Sequence, residues 1–448
     1  MTIRIVPLVF FLAVASAAWA QDSLHVLTFK QAVQTALRNN LTLNQTRNTL
    51  FQTQTQKTSG IAQLGPQVGI SAGASQSTGN RFIQSLGERA MATSQNLNAT
   101  LNAQMPIFNG FQYVNNMRSN NQAHNAQIEA VKRSNQDVIN LVSTQYLQVL
   151  LDQELLIIAK ENVDVLRKQL DQIKAHVELG SRSPVDEYNQ QALVNNAEIQ
   201  MVQAEYTLVN DKITLYQTMM VEPSNDSRFE EPAWDINAMA LDSISLMQLQ
   251  GIASEHRADL KQFRYTELSS RYSMQSAKGI YFPSINAYYN YGSAYADVEG
   301  QQLSDFKTQV KVENKFETFG VQLNIPIFTA FQTRATYARW KVAYQNSQLN
   351  TKNQEVVVKS DVLRAFENFN NVKKSYAASS NGLEASQVAF NLEQERYNLG
   401  ITSFVDLANA NRTLVQAQTN MAQAKYRFLF QKIMLDYATG TLKLEDIP

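Results

Sequence analysis

The 448-residue chain carries 39 lysine and arginine residues against 39 aspartate and glutamate residues, so its formal net charge at pH 7 is zero. This balance gives no overall basic field and argues against nucleic acid as a partner. Cysteine is absent, which excludes disulfides and a lipid-modified N-terminal cysteine. With 16 glycines and 9 prolines, the chain also differs from a typical all-β protein of this length.

Residues 1–20 have the features of a secretory signal peptide. Arg4 gives the positive n-region, Ile5 to Val14 form the apolar core, and Ala18 to Ala20 form an A-x-A cleavage site. An N-terminal membrane anchor is the weaker alternative, because the apolar run is too short to span a bilayer. No later segment has the roughly 20 apolar residues of a transmembrane helix. We therefore expect an exported protein that could enter a membrane only as β-structure.

Two segments of helical pattern each end at a proline-containing break. Thr28 to Gly60 precedes Leu64-Gly65-Pro66, and Leu241 to Lys278 precedes Tyr281-Phe282-Pro283. Proline restricts the residue before it to extended conformations, so a helix ends there. Pro66 and Pro283 are thus predicted to mark junctions between a helix and a strand.

Alternating apolar and polar residues follow each break, as expected of membrane strands of about ten residues. The predicted strands are Val68 to Ser77, Leu97 to Met105, Ile285 to Tyr295 and Phe319 to Ile325. The polar segment Thr78 to Gln95 is predicted to be a loop. Pro106 and Pro326 are predicted to close the second strand of each pair and to mark the passage into a helix.

A stretch without glycine or proline runs from Phe111 to Leu179. As one helix it would reach roughly 100 Å. Its apolar positions mostly step by three and four, as in a coiled-coil seam. A plain coiled-coil stalk is therefore an alternative for this stretch taken alone.

A second helix is predicted to return along the first. Gly180 can adopt the left-handed conformation that ends a helix. Pro184 then suits the first turn of a new helix behind a Ser183 cap, and Asp186 complements the helix dipole. The return helix is predicted to run to about Met220, which gives a long antiparallel hairpin.

The whole pattern occurs twice. PIFNGFQ at Pro106 to Gln112 matches PIFTAFQ at Pro326 to Gln332, and LG-x-x-S-x-VD at Leu179 to Asp186 matches the same motif at Leu399 to Asp406. The matches share one register without a gap, which favours duplication over chance. We therefore divide the chain into the signal peptide (1–20), a first repeat (21–222) and a second repeat (223–448).

Four strands in one chain are too few for a membrane barrel, since closed barrels begin at about eight strands. An open sheet in lipid would leave unsatisfied edges. Copies of the chain arranged with cyclic symmetry would solve this, and three copies give about twelve strands. The hairpins would then pack side by side into a hollow tube. The predicted fold class is a mixed α/β membrane protein, mainly α, made of two tandem repeats.

The paired strands ending in P-I-F, the two long hairpins and the repeated tip motif resemble the outer membrane efflux protein family. Tyr397 to Ala410 (YNLGITSFVDLANA) and Thr439 to Leu442 (TGTL) carry the most specific part of this resemblance, which covers essentially the whole mature chain. The family resemblance implies a homotrimer with a twelve-stranded barrel in the outer membrane and a helical tunnel through the periplasm. It also implies docking of a periplasmic adaptor protein and an inner-membrane pump. The chain would then be the passive exit duct of a tripartite efflux or type I secretion system.

The two hairpin tips are the predicted docking site for the adaptor. Simple turn formation is the alternative, because glycine is needed at such turns in any case. The predicted docking residues are Leu179, Gly180, Ser183, Val185, Leu399, Gly400, Ser403 and Val405.

A gate is predicted just beyond the second tip. Asp406 and Asn409 are three residues apart and can share one side of a helix. In a trimer a pore-facing Asp406 would recur as a ring of carboxylates that favours cations. The resemblance places this ring at the tunnel constriction, where a second aspartate often stands at the position of Asn409. The ring here is expected to carry half that charge.

The resemblance also makes Tyr397 a candidate latch that hydrogen-bonds Asp186 on the neighbouring hairpin. Thr402 replaces a basic residue of that latch, whereas Arg182 occupies the matching place on the first hairpin. We therefore consider Arg182 as the missing partner. The alternative is that Asp186 and Asp406 only complement helix dipoles.

Enzyme chemistry finds little support in the sequence. The four histidines are scattered without the spacing of H-E-x-x-H, and neither a Gly-rich phosphate loop nor G-x-S-x-G occurs. No catalytic residue, cofactor or metal is predicted. Two alternatives to a duct remain: a periplasmic adaptor, which normally has one hairpin flanked by β-domains, and a structural coiled coil, which would need no membrane strands. The cargo, whether drugs, metals or proteins, stays open.

Overall fold

The computed structural model describes residues 26–83, 87–224, 228–232 and 245–447. The predicted signal peptide lies outside these residues. In chain order the elements are β1 (Val26–Leu27), α1 (Phe29–Asn39), α2 (Leu41–Ala62), β2 (Gln67–Ile83), β3 (Glu88–Phe108), α3 (Gln112–Glu178), α4 (Pro184–Met219), β4 (Arg228–Phe229), α5 (Leu246–His256), α6 (Ala258–Gly279), β5 (Ser284–Val298), α7 (Phe306–Thr308) with a π-helical turn (Gln309–Glu313), β6 (Phe316–Asn324), α8 (Gln332–Asn398), α9 (Phe404–Thr439) and a closing 3₁₀ turn (Leu444–Asp446).

Two long helical hairpins dominate the molecule. α3 and α8 have 67 residues each, and α4 and α9 have 36 each. The second hairpin begins and ends 220 positions after the first. The predicted unbroken helix is confirmed, and at about 1.5 Å per residue it spans roughly 100 Å. Within the described residues, no helix has the length and apolar character needed to cross a bilayer.

Both short helical segments are broken, which the sequence pattern did not predict. Asn40, with φ −53° and ψ 127°, ends α1 and caps α2, and its Oδ1 accepts a hydrogen bond from the Leu43 amide at 3.1 Å. Arg257, with φ −57° and ψ 114°, separates α5 from α6 in the same way. Neither break contains proline or glycine, so the apolar periodicity predicted one continuous helix across each of them.

The four longer strands form one antiparallel sheet in the order β2-β3-β5-β6. The predicted strands are present, but the predicted loop Thr78 to Gln95 is wrong. β2 continues to Ile83 and β3 begins at Glu88. Thr78 pairs with Thr93, and their hydroxyl oxygens are 3.1 Å apart. Polar residues pair across strands as readily as apolar ones where no buried face enforces alternation.

The register sorts the side chains of the sheet onto two unlike faces. Val68 pairs with Ala103, Ala103 with Tyr289 and Tyr289 with Phe319, so these residues form one cross-strand row. Exposed apolar residues of the same face are Val68, Ile70, Leu97, Met105, Phe319, Val321 and Leu323. The other face carries polar residues, among them Gln67, Asn102, Gln104, Asn286, Asn290 and Gln322. The sheet is therefore amphipathic.

Three of the four predicted junction prolines lie between a helix and a strand. Pro66 and Pro283 directly precede β2 and β5, and Pro326 follows β6. The prediction that Pro106 closes its strand is wrong, because β3 continues to Phe108. A register shift between Pro106 and Phe108 accommodates the missing N–H of the proline there.

The main core lies where the hairpins pass the short elements. β1 pairs in parallel with β4, so the stretch after α4 returns to the start of the chain. The buried Tyr146 of α3 stacks near Phe29 at 5.1 Å between ring centroids, and its hydroxyl oxygen lies 2.8 Å from the carbonyl oxygens of Leu27 and Glu230. This core holds both hairpins and α1 together.

A buried arginine ties α6 to the second hairpin. Arg257 is 2 % exposed, and its Nη2 lies 2.5 Å from Asp259 and 3.2 Å from Asp361. Its Nη1 donates to the carbonyl of Ala438 at 3.1 Å. The carboxylates compensate the buried charge, as such a group requires.

Candidate functional site at the hairpin tips

Glycine and serine shape the two tips. Gly180 and Gly400 have φ +69° and +73°, and a Cβ added at either would meet nothing within 4 Å. Glycine is therefore required for backbone conformation and not for space. Ser183 and Ser403 cap α4 and α9. These four predicted docking residues thus have a local role in forming the turns.

The apolar residues at the tips have no such role. Leu179 is 81 % exposed and Leu399 is 75 % exposed, and Val185 and Val405 are also exposed. Ile401 adds to the same surface. The tips therefore present an apolar surface that the chain itself does not cover, as protein-binding surfaces do.

The two hairpins are packed together behind the tips. Tyr397 of α8 is buried with Leu407 of α9, and Val165 of α3 packs against this cluster. Further up, the Asn411 side chain donates to Asn162 Oδ1 at 3.0 Å. The position of one tip is therefore coupled to the other.

Arg182 of the first tip reaches across to Tyr397. Its guanidinium carbon lies 4.1 Å from the centroid of the Tyr397 ring, and its Nη2 donates to the Tyr397 carbonyl at 3.1 Å. A cation over an aromatic face contributes about 0.5–2 kcal/mol. Arg182, predicted as the partner of Tyr397, thus contacts it through the ring face and the backbone.

The Tyr397 hydroxyl is buried and has no hydrogen-bond partner among the described residues of the single chain. Burial raises the pKa of Tyr397, the Arg182 charge lowers it and the Asp186 charge raises it. Asp186 is thus close enough to affect the pKa of the tyrosine, but no hydrogen bond joins the two side chains in the part of the chain that the structure describes.

Asp406 bonds within its own turn. Its Oδ2 accepts from the Ser403 hydroxyl at 2.6 Å and from the Thr402 hydroxyl at 3.1 Å, while the Ser403 Oγ accepts from the Asp406 amide. These two hydroxyls hold the pKa of Asp406 below its ordinary value, so the exposed carboxylate stays ionised. Asn409 is exposed one turn on, and its carbonyl accepts from Thr413 at 2.9 Å.

An ion pair that was not predicted from the sequence lies beside Thr402. The Thr402 hydroxyl donates to Glu393, and Glu393 pairs with Arg396 at 3.1 Å. The i, i+3 spacing of the two charges was the available signal. The Thr402 hydroxyl thus lies between the carboxylates of Glu393 and Asp406, and its single proton can be donated to one of them at a time.

The model of the family described as outer membrane efflux protein matches residues 32–219 and 249–441. This chain belongs to that family. The resemblance predicted from the tip and strand motifs is confirmed, together with the outer-membrane efflux role and location that the family implies.

Relatives within the family are distant but cover most of the chain. Outer membrane protein TolC of Vibrio cholerae is 22 % identical over 97 % of this chain and 94 % of its own length. The toluene efflux pump outer membrane protein TtgC of Pseudomonas putida is 24 % identical over 96 % of this chain and 86 % of its own length. The crystal structure of VceC from Vibrio cholerae superposes with a TM-score of 0.79 at 15 % identity, over 92 % of this chain and 96 % of that one. The last match supports the fold alone.

Proposed function

We propose that three copies of this chain form a passive outer-membrane duct, in which their sheets close one barrel and their hairpins one periplasmic tunnel. The amphipathic four-stranded sheet with two free edges carries this proposal. Among the described residues, β2 and β6 each pair on one side only. Lipid does not tolerate such edges, and three sheets joined edge to edge close at about twelve strands.

The faces of the sheet suit this arrangement. The apolar face through Val68 and Phe319 would contact lipid, and the polar face through Gln104 and Asn290 would line a water-filled lumen. A periplasmic adaptor or a structural coiled coil would have no use for such a sheet. The duct is therefore favoured over both alternatives.

The hairpins support the same assembly. Each chain supplies two hairpins of equal length, which agrees with a duplication of residues 21–222 into 223–448. Their flanks retain exposed apolar residues, among them Ile157, Ile199, Val202, Leu349, Val356, Val388 and Leu392. Packing against neighbouring copies would cover these residues and close the helices of three chains into a tube.

We assign the apolar tips to docking of a periplasmic adaptor that links the duct to an inner-membrane pump. The energy for transport would come from that pump, and the relative named as a toluene efflux pump component is consistent with this role. Behind the docking surface, Arg182, Asp186 and Tyr397 would hold the tips together. Asp406 and Asn409 would line the constriction.

Oligomeric mass and location test the proposal together. Native mass spectrometry of the detergent-purified protein should give three chains, and cell fractionation should place it in the outer membrane as a heat-sensitive oligomer on unheated gels. A monomer in detergent, or recovery in the soluble periplasmic fraction, would overturn the proposal.

A further inference from the structure

Two carboxyl groups meet inside the first hairpin. Asp152 of α3 is 3 % exposed, and the carboxyl group of Asp211 on α4 lies within hydrogen-bond reach of it. Gln148 donates to Asp152 Oδ1 at 3.0 Å. Asp152 Oδ2 has no donor among the described residues. Two ionised carboxylates are both acceptors, so they can form a hydrogen bond with each other only by sharing a proton.

Basic groups on the surrounding elements are directed elsewhere. Lys212 of α4 lies 5.5 Å from the Phe229 ring centroid, and Lys425 of α9 pairs with Glu231 at 2.8 Å. Other charged or titratable groups on elements that pack near this level include Tyr146 and Glu154 of α3, Tyr216 of α4, Tyr376 of α8, Lys30 and Arg38, both exposed on α1, Arg228, Glu230 and Glu231 around β4, and Tyr426 and Arg427 of α9. Asp211 is the charged group that acts on the titration of Asp152.

We propose that Asp152 and Asp211 form a proton-binding site that holds one shared proton and fastens α3 to α4 at this level. The shared proton makes one of the two facing oxygens a donor to the other, so that Asp152 Oδ2 gains a hydrogen-bond partner. Two carboxylates within hydrogen-bond reach of each other repel strongly when both are ionised, so they bind one proton between them.

The direction of the pH effect follows from the burial. Burial and the neighbouring Asp211 raise the pKa of Asp152 to about 7. A carboxyl group whose pKa is raised on folding binds more protons when folded than when unfolded. The stability of the first hairpin therefore falls as pH rises from the range of an ordinary aspartate through about 7. Above that pH, the Asp152 carboxyl group ionises beside Asp211 and the hairpin loosens.

The second hairpin provides a built-in comparison. At the positions 220 residues later stand Val372 and Gln431, which do not titrate. Both lie on the corresponding helices α8 and α9, and Gln431 is also buried. The proton site is therefore confined to the first hairpin, and only that hairpin should respond to pH near 7. The site does not depend on the proposed duct.

Hydrogen exchange on the full-length protein in detergent tests the proposal. Amide protection factors, corrected for the intrinsic pH dependence of exchange, should fall about ten-fold around Asp152 and Asp211 between about pH 6 and about pH 8. Protection around Val372 and Gln431 should not change. Asp152→Asn, whose amide can donate to Asp211, and separately Asp211→Asn should each keep the low-pH protection at both pH values.

Infrared difference spectra provide a readout of the proton itself. The carbonyl stretch of a protonated carboxylic acid should be present at about pH 6, lost by about pH 8 and absent in Asp152→Asn. Equal pH responses in the two hairpins, or an Asp152→Asn variant that still loses protection, would overturn the proposal. So would protection that is lost on adding EDTA and is restored by Ca²⁺ independently of pH, since a cation would then hold the pair.

Discussion

Arg182 and Tyr397 join the two hairpins at their tips, with the guanidinium carbon 4.1 Å from the ring centroid and a 3.1 Å hydrogen bond to the tyrosine carbonyl. The family resemblance implies a basic residue of such a link at the position of Thr402. Here the basic group comes from the first hairpin. A tunnel end closed by this contact should open when the contact is removed.

Arg182→Ala should raise the passive conductance of the reconstituted channel, because it removes a cation–π contact of about 0.5–2 kcal/mol from each subunit. Single-channel recording measures this. Arg167→Ala is the matched control, since Arg167 lies on the same hairpin in an exposed pair with Glu198 at 2.6 Å. Exposed pairs contribute about 0–1 kcal/mol.

Tyr397→Phe separates the ring contact from the hydroxyl latch. The variant keeps the stacked ring and removes only a hydroxyl that lacks a partner among the residues that the structure describes. If the hydroxyl meets Asp186 of a neighbouring copy, Tyr397→Phe combined with Asp186→Ala should raise conductance beyond the level of the parent. Parental conductance in this double variant and in Arg182→Ala would show that the gate lies elsewhere.

Asp406→Ala should weaken the block of the channel by multivalent cations, because a ring of carboxylates would lose its charge. Ser403→Ala removes the helix cap and keeps the carboxylate, so it should destabilise α9 by about 1 kcal/mol and leave the block intact. Hydrogen bonds from Ser403 and Thr402 hold the pKa of Asp406 low. Block in the parent should therefore persist to lower pH than for an ordinary aspartate. Equal block in Asp406→Ala and the parent would reduce Asp406 to a helix cap.

Gly180→Val and Gly400→Val should abolish export while leaving the oligomer intact. An added Cβ meets no atom within 4 Å, but the left-handed backbone costs about 1–2 kcal/mol for a residue with a Cβ, so the turn rearranges locally. Gly382→Ala is the control, because this glycine is helical in α8 and has the same open space. An export assay in cells, read beside oligomer content on unheated gels, distinguishes the outcomes. Loss of the oligomer itself would indicate a purely structural turn.

Arg257→Met should lower the free energy of unfolding by about 3–5 kcal/mol, since it leaves Asp259 buried without its cation. Burial opposes ionisation of Asp259, but the hydrogen bonds and charge of Arg257 hold its pKa below the usual value. The stabilisation is therefore present above the pKa of an unfolded aspartate and is lost as pH falls through the lower folded pKa. Thermal unfolding of Arg257→Met and of Arg264→Ala, whose exposed pair with Glu355 should contribute little, tests this. If Arg257→Met and Arg264→Ala had equal melting temperatures, the stabilising role assigned to Arg257 would be contradicted.

The hairpins could be predicted because short-range chemistry defines their ends. Gly180 adopts the expected left-handed turn, Ser183 caps the return helix and Pro184 occupies its first turn. The number of residues between one such helix-end signal and the next then fixes the length of each helix. The residues assigned to the tips follow from the same signals.

The remaining features depend on contacts between distant parts of the chain. Cross-strand pairs such as Thr78 with Thr93 hold the upper part of the β2–β3 hairpin together. The amino-acid composition of this part is typical of a loop. The Arg257 cluster needs Asp361 from another helix. Only the family resemblance suggested that Arg182 and Tyr397 act together. Apolar periodicity does not reveal which faces of two hairpins meet.

The most direct test of the duct is conductance of the purified oligomer in planar lipid bilayers. We expect discrete conductance steps of uniform size. Each step comes from the insertion of one oligomer and is present without any adaptor or pump. An outer-membrane oligomer that inserts into the bilayer but gives no ion-conducting step would contradict the central claim.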